Sequence, residues 1–141
     1  MKMKKKQIAI LCIFACLIAS AVIPAYAEVP EDHLMPLANY YYSASASLTI
    51  SASGIATATG GMIGRPGVTT KTTVHLYLQR KENGAWVNVD DWISSNETTD
   101  TTLQENKAVT KGYTYRAKAS CYAYCGKKYE KVICYSAEIP Y

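Results

Sequence analysis

Residues 42–52 read Tyr-Ser-Ala-Ser-Ala-Ser-Leu-Thr-Ile-Ser-Ala, an apolar side chain at every even position and a hydroxyl at every odd one. A period of two held this long has one solution, a strand with one buried and one solvated face. Tyr42, Ala44, Ala46, Leu48, Ile50 and Ala52 are expected on the buried side. The alternation returns at Val74-His75-Leu76-Tyr77-Leu78 and again over 113–125. There the odd positions are Tyr, Tyr, Ala, Ala, Cys, Ala, Cys, and the even ones are Thr, Arg, Lys, Ser, Tyr, Tyr. Beyond residue 27 no segment repeats its apolar residues at helical spacing.

Turn formers divide the strands. Gly54 ends the first, 55–61 forms a short second strand, and Met62–Val68 reads as a loop around Gly64, Pro66 and Gly67. The segment 72–80 is followed by Asn83-Gly84, a strong hairpin dipeptide. The returning strand 85–93 carries Trp86, Val89 and Trp92 as large apolar anchors. A weak strand is expected over 98–103, then 113–125, a turn at Gly126-Lys127, and a last strand over 129–136. About seven short strands predict an all-β, two-sheet antiparallel sandwich.

The chain opens with Lys2, Lys4, Lys5 and Lys6, runs apolar from Ile8 to Ile23, and continues into Ala25-Tyr26-Ala27. This is the pattern of a secretory signal peptide over 1–27, cleaved after Ala27, and it predicts a secreted protein. The apolar run is short for a membrane anchor. Cys16 is not expected to be a lipid acceptor, because Leu17-Ile18-Ala19 after it stays apolar. Residues 28–40, with Pro30 and Pro36, should be extended, leaving 41–141 as one domain.

Removing the leader removes the chain's positive excess. Of 15 Lys and Arg, four lie within it, so 11 cations face 11 acids over 28–141. No nucleic-acid footprint is expected, nor a membrane partner once the leader is gone.

The stretch Lys111-Gly112-Tyr113-Thr114-Tyr115-Arg116-Ala117 places a tyrosine three residues after a glycine at the head of an alternating strand. It resembles the corner before the penultimate strand in fibronectin type III and other immunoglobulin-like domains. That resemblance makes Tyr115 a candidate tyrosine corner, its hydroxyl bonding back to nearby backbone. Joined to the stretch from Leu78 to Trp92, it also resembles small exported proteins of Gram-positive bacteria with no assigned activity.

Three cysteines remain outside the leader: Cys121, Cys125 and Cys134. A four-residue loop at 126–129 would set Cys121 opposite Cys134; a two-residue turn would set Cys121 opposite Val132, with Cys134 diagonal. In either register Cys121–Cys134 is the expected disulfide, leaving one thiol over. The Cys-x-x-x-Cys spacing of Cys121 and Cys125 fits neither a redox pair nor, without a fourth ligand, a zinc site.

Catalytic patterns are sparse. No Gly-x-Ser-x-Gly elbow occurs. A triad of His75, Asp90 or Asp91 and a serine lacks a motif, and Asp90 and Asp91 should point to opposite faces of one strand. The expectation is a non-enzymatic protein without metal or cofactor. If Val74, Leu76 and Leu78 face inward, then His75, Tyr77, Arg116, Lys118, Tyr122, Tyr124 and Tyr135 face outward, with Lys131 and Ile133 beside them. Such a face suits contact with an extracellular protein or glycan. Self-association as a structural or envelope-associated module is the alternative; an extracellular hydrolase, built on a pocket at His75, is a third.

Overall fold

The structure, a computed structural model, describes residues 38–141. The expected leader, its cleavage site and most of the extended segment 28–40 lie outside the described residues. Eight strands follow in order: β1 Tyr41–Ile50, β2 Ile55–Gly64, β3 Lys71–Glu82, β4 Ala85–Asn96, β5 Asp100–Ala108, β6 Thr114–Cys125, β7 Lys128–Tyr135 and β8 Ile139–Pro140. They form two antiparallel sheets, β1-β2-β5 and β4-β3-β6-β7, and the short β8 pairs with β6 beyond the end of β7. The fold is an all-β sandwich.

The core lies where the alternation puts it. Val74, Leu76 and Leu78 of β3 are buried against Ala117, Ala119, Cys121 and Ala123 of β6, and against Leu48, Ala56, Ala58 and Met62 of the other sheet. Alanines supply little volume, so the two sheets must approach closely for the interior to fill. Gly60 marks how close they come: a Cβ there would lie 2.9 Å from Val74 Cγ1 and 3.1 Å from Ala119 Cβ of the facing sheet.

Several departures from the expected pattern have local causes. Strand β2 continues through Met62–Gly64 rather than breaking into a loop, because Met62 fills the core and Gly64 N–H donates to Thr99 O at 2.7 Å. Strand β5 runs to Ala108, well past Leu103. Its polar residues are tolerated on a sheet edge and tied to β2, as where Thr57 Oγ1 donates to Asn106 Oδ1 at 2.7 Å. A register shift between Tyr41 and Ser43 turns Tyr42 out to solvent and lays Tyr41 against the core.

The most consequential departure is in β4. Leu78 pairs with Asp90 but Gln79 pairs with Asn88, so Val89 is one residue too many. Such a bulge reverses which face the following side chains occupy. Trp92 packs against the core, whereas Trp86, paired with Lys81, lies on the outer face instead of serving as a core anchor.

The last hairpin has the tighter of its two possible registers. Cys125 pairs with Lys128, leaving Gly126-Lys127 as a two-residue turn. Gly126 has φ 60°, a left-handed value that suits glycine at the first central position of a type II′ turn.

The close approach at Gly60 yields a prediction. Gly60→Ala should lower unfolding stability by about 1–3 kcal/mol through overpacking. Gly61→Ala, whose new methyl would meet the rotatable Ser45 hydroxyl at 3.2 Å and otherwise sit at ordinary contact distance, should change it by less than about 0.5 kcal/mol. Urea denaturation of the two variants measures both; equal effects would contradict the tight core.

Candidate recognition face

The outer side of β4-β3-β6-β7 is laid out by the pairing of its strands. One row reads Asp91, Tyr77, Lys118, Tyr135; the next, Ile93, His75, Ser120, Ile133; the next, Ser95, Thr73, Tyr122, Lys131. Lys71, Tyr124 and Tyr129 form a fourth. His75, Tyr77, Arg116, Lys118, Tyr122, Tyr124 and Tyr135 therefore share one face with Lys131 and Ile133. Trp86, Lys71, Lys81, Ile93 and Tyr129 also belong to it and were not anticipated. Trp86 was concealed by the bulge; Tyr129 could have been found once the two-residue turn was chosen, since it then pairs with Tyr124.

Cations and rings alternate across this face. The Arg116 guanidinium carbon lies 4.1 Å from the Trp86 ring centroid and 4.3 Å from that of Tyr135, so the group is held between two aromatic planes. Its Nε donates to Gln79 Oε1 at 2.9 Å, and Gln79 Nε2 donates to Asn88 Oδ1 at 2.9 Å. Gln79 is buried, so the chain of bonds fixes the guanidinium from beneath. Lys118 sits 5.2 Å from the Tyr77 centroid, Lys131 5.4 Å from Tyr122, Lys71 5.6 Å from Tyr124 and Lys81 5.4 Å from Trp86. Each such contact contributes about 0.5–1 kcal/mol at an exposed site. Tyr122, Tyr124 and Tyr129 cluster, their centroids 5.6–6.4 Å apart.

His75 stands between two partners. Its Nε2 lies 2.8 Å from Asp91 Oδ2 and its Nδ1 2.7 Å from the Tyr77 hydroxyl, whose ring stacks on the imidazole at 4.1 Å. Burial, then the Asp91 charge, raises the Tyr77 pKa, so the phenol keeps its proton and donates it to Nδ1. The imidazole in turn donates Nε2–H to the carboxylate. Ser120 is opposite His75 in the ladder, but both ring nitrogens are engaged and none is left to take a proton from a serine. Asp90 pairs with Lys107 at 2.7 Å instead.

The cysteines correct an expectation. Cys121, Cys125 and Cys134 are all free thiols, so the Cys121–Cys134 disulfide is not formed. Cys121 is opposite Val132, and Cys134 is opposite Ala119. Diagonal neighbours on adjacent strands lie roughly 7–8 Å apart, past the ~7 Å reach of a disulfide. The Cys121 thiol points across the sandwich and donates to Gly61 O at 3.5 Å. Burial, with a smaller contribution from Cys134, pushes its pKa up to about 12, and burial raises that of Cys134 as well.

At the head of β6 the Tyr115 hydroxyl donates to Thr110 O at 2.7 Å and accepts from Thr110 N–H at 3.1 Å. This reciprocal pair clamps the β5–β6 connection onto the sandwich. Among the described residues, no three His, Cys, Asp or Glu side chains gather closely enough to hold a metal ion, and no helix is long and apolar enough to cross a membrane.

The buried thiol has a measurable consequence. Cys121 keeps its proton in the fold up to a pH near 12 but ionises near 9 when unfolded. Its contribution to stability is therefore complete below about pH 9 and is lost as pH rises toward 12. Iodoacetamide at about pH 8 should leave Cys121 unmodified in the folded protein and label Cys121, Cys125 and Cys134 alike in urea. Labelling of Cys121 at the rate of an exposed thiol would contradict the placement.

Compared with family models, with curated proteins and with solved structures, the chain matches none.

Proposed function

We propose that the protein is a secreted, non-enzymatic immunoglobulin-like domain of the fibronectin type III kind, binding an extracellular partner through the outer face of β4-β3-β6-β7. The observation that carries the reading is the continuous layer of Trp86, Tyr77, Tyr122, Tyr124, Tyr129 and Tyr135 with cations interleaved among them. A sheet that served only as one wall of a sandwich would need neither the rings nor the buried Gln79 beneath Arg116. Tyrosine and tryptophan offer contact area with little side-chain entropy to lose, which suits a protein or glycan ligand.

The family reading draws on the strand order, β1-β2-β5 in one sheet and β4-β3-β6-β7 with the short β8 in the other, β3 and β6 central, and on the Tyr115–Thr110 clamp. The export reading draws on the leader over 1–27. The non-enzymatic reading draws on His75, whose two nitrogens are committed to Asp91 and Tyr77.

Self-association is the second reading, and one feature favours it. Ile93 and Ile133, at the two ends of a single row, are 65% and 42% exposed. Apolar side chains in that position could be covered by another copy. Sedimentation over a hundredfold range of concentration decides between the two: a concentration-independent monomer removes this reading.

The test of the binding reading is a double substitution. Tyr77→Ala with Tyr122→Ala should shift the melting temperature by less than about 4 °C and abolish capture of ligands on a glycan array and among surface proteins. Thr59→Ala on the opposite sheet is the control. Undiminished capture by the double variant would place binding elsewhere, and a large loss of stability would make those tyrosines core residues.

A further inference from the structure

Resting on that reading of the face, we infer that its ligand is an acidic polysaccharide, bound along β6 and β7 by Arg116, Lys118 and Lys131. The charges on the face are uneven. Lys71 is paired with Glu97 at 3.5 Å and Lys81 with Glu138 at 3.7 Å, while Asp91 is engaged by His75. Among the described residues, Arg116, Lys118 and Lys131 have no carboxylate within ion-pair distance. Three uncompensated cations thus share one face of a chain whose residues 28–141 carry equal numbers of cations and acids, which gives that face a local positive excess along β6 and β7.

The aromatic rings determine what a partner meets. Tyr77, Tyr122 and Tyr124 each have a lysine over the ring, and Arg116 fills the space between Trp86 and Tyr135. The rings thus order the cations, and a partner meets ammonium and guanidinium groups side by side with the exposed rings of Tyr129 and Tyr135. From Arg116 to the position of Lys131, opposite Tyr122, is six residues along a strand, roughly 20 Å. A line of fixed cations over that distance on a flat sheet fits a polymer with anions at intervals rather than one small anion.

The groups between the cations select a sugar. Exposed Ser95 supplies a hydroxyl and Asp91 the carboxylate oxygen that His75 leaves free, both able to bond to sugar hydroxyls, while Thr73 is buried and bonded to Ser95 at 2.6 Å. Tyr129 and Tyr135, 58% and 51% exposed, offer ring surface to the C–H faces of pyranoses.

Retention of the purified protein on immobilised heparin and polygalacturonate, sulfated and carboxylated probes, tests the inference, with dextran, duplex DNA and polyglutamate in parallel. The expected result is binding to an acidic polysaccharide at about 0.1 M salt that is lost by about 0.5 M, with none to dextran. Lys118→Gln with Lys131→Gln should weaken it by at least about tenfold at unchanged melting temperature. Three results overturn the inference: no binding to either acidic polysaccharide, full binding by the double variant, or tighter binding to DNA or polyglutamate. Capture of a neutral glycan that depends on Tyr77 and Tyr122 would leave the face reading standing and remove the acidic-polysaccharide inference alone.

Discussion

The burial of Val74, Leu76 and Leu78 fixes everything that faces solvent on the larger sheet. A strand has two sides, and once β3 commits those three side chains to the interior, His75 and Tyr77 have only the outer side left. The ladder then carries the choice to its neighbours: Ala117, Ala119 and Cys121 go inward opposite Leu78, Leu76 and Val74, and Arg116, Lys118 and Tyr122 go outward. The interior that enforces this is built from small residues. Ala56, Ala58, Gly60, Ala117, Ala119 and Ala123 leave so little space between the sheets that sliding a strand by one residue would drive Tyr or Lys into a gap sized for a methyl group.

The same rigidity gives the outer face its character. Lysine and arginine side chains lose about 1.5–2 kcal/mol of rotational freedom when held still. Here part of that cost is met before any ligand arrives, because aromatic planes and the Gln79–Asn88 bond hold Arg116, and rings hold Lys118 and Lys131. A preorganised cation loses less on binding and discriminates better by position. The His75–Asp91–Tyr77 group serves a related end, keeping the one carboxylate in the middle of the face engaged by an imidazole.

Much of this was legible in the sequence, and the remainder was hidden for physical reasons. Period two revealed most inward residues of β1, β3 and β6, though not that Tyr42 and Ala52 are exposed, and with them seven residues of the outer face. It could not reveal the surplus residue at Val89, because a bulge leaves composition and local propensity unchanged while reversing the face of Trp86. Strand β5 was foreshortened because a polar edge strand resembles a loop in its residue types. Strand β8 went unseen because two residues carry no periodicity. The cysteine pairing failed on reach rather than on register: the two-residue turn at Gly126 was one of the two registers the sequence allowed, and in it the diagonal from Cys121 to Cys134 is too long for the bond expected there.

The most direct test of the account is to map where an acidic oligosaccharide lands. Amide chemical shifts of the isotopically labelled protein would be followed while a polygalacturonate fragment is added. The account predicts shifts concentrated at Tyr77, Arg116, Lys118, Tyr122 and Lys131 and their ladder neighbours, with Ser45, Thr59 and Gln104 on the opposite sheet unmoved. Shifts concentrated on β1-β2-β5, or scattered over the surface, would contradict it and leave the ring-and-cation layer as the solvated side of an ordinary sheet.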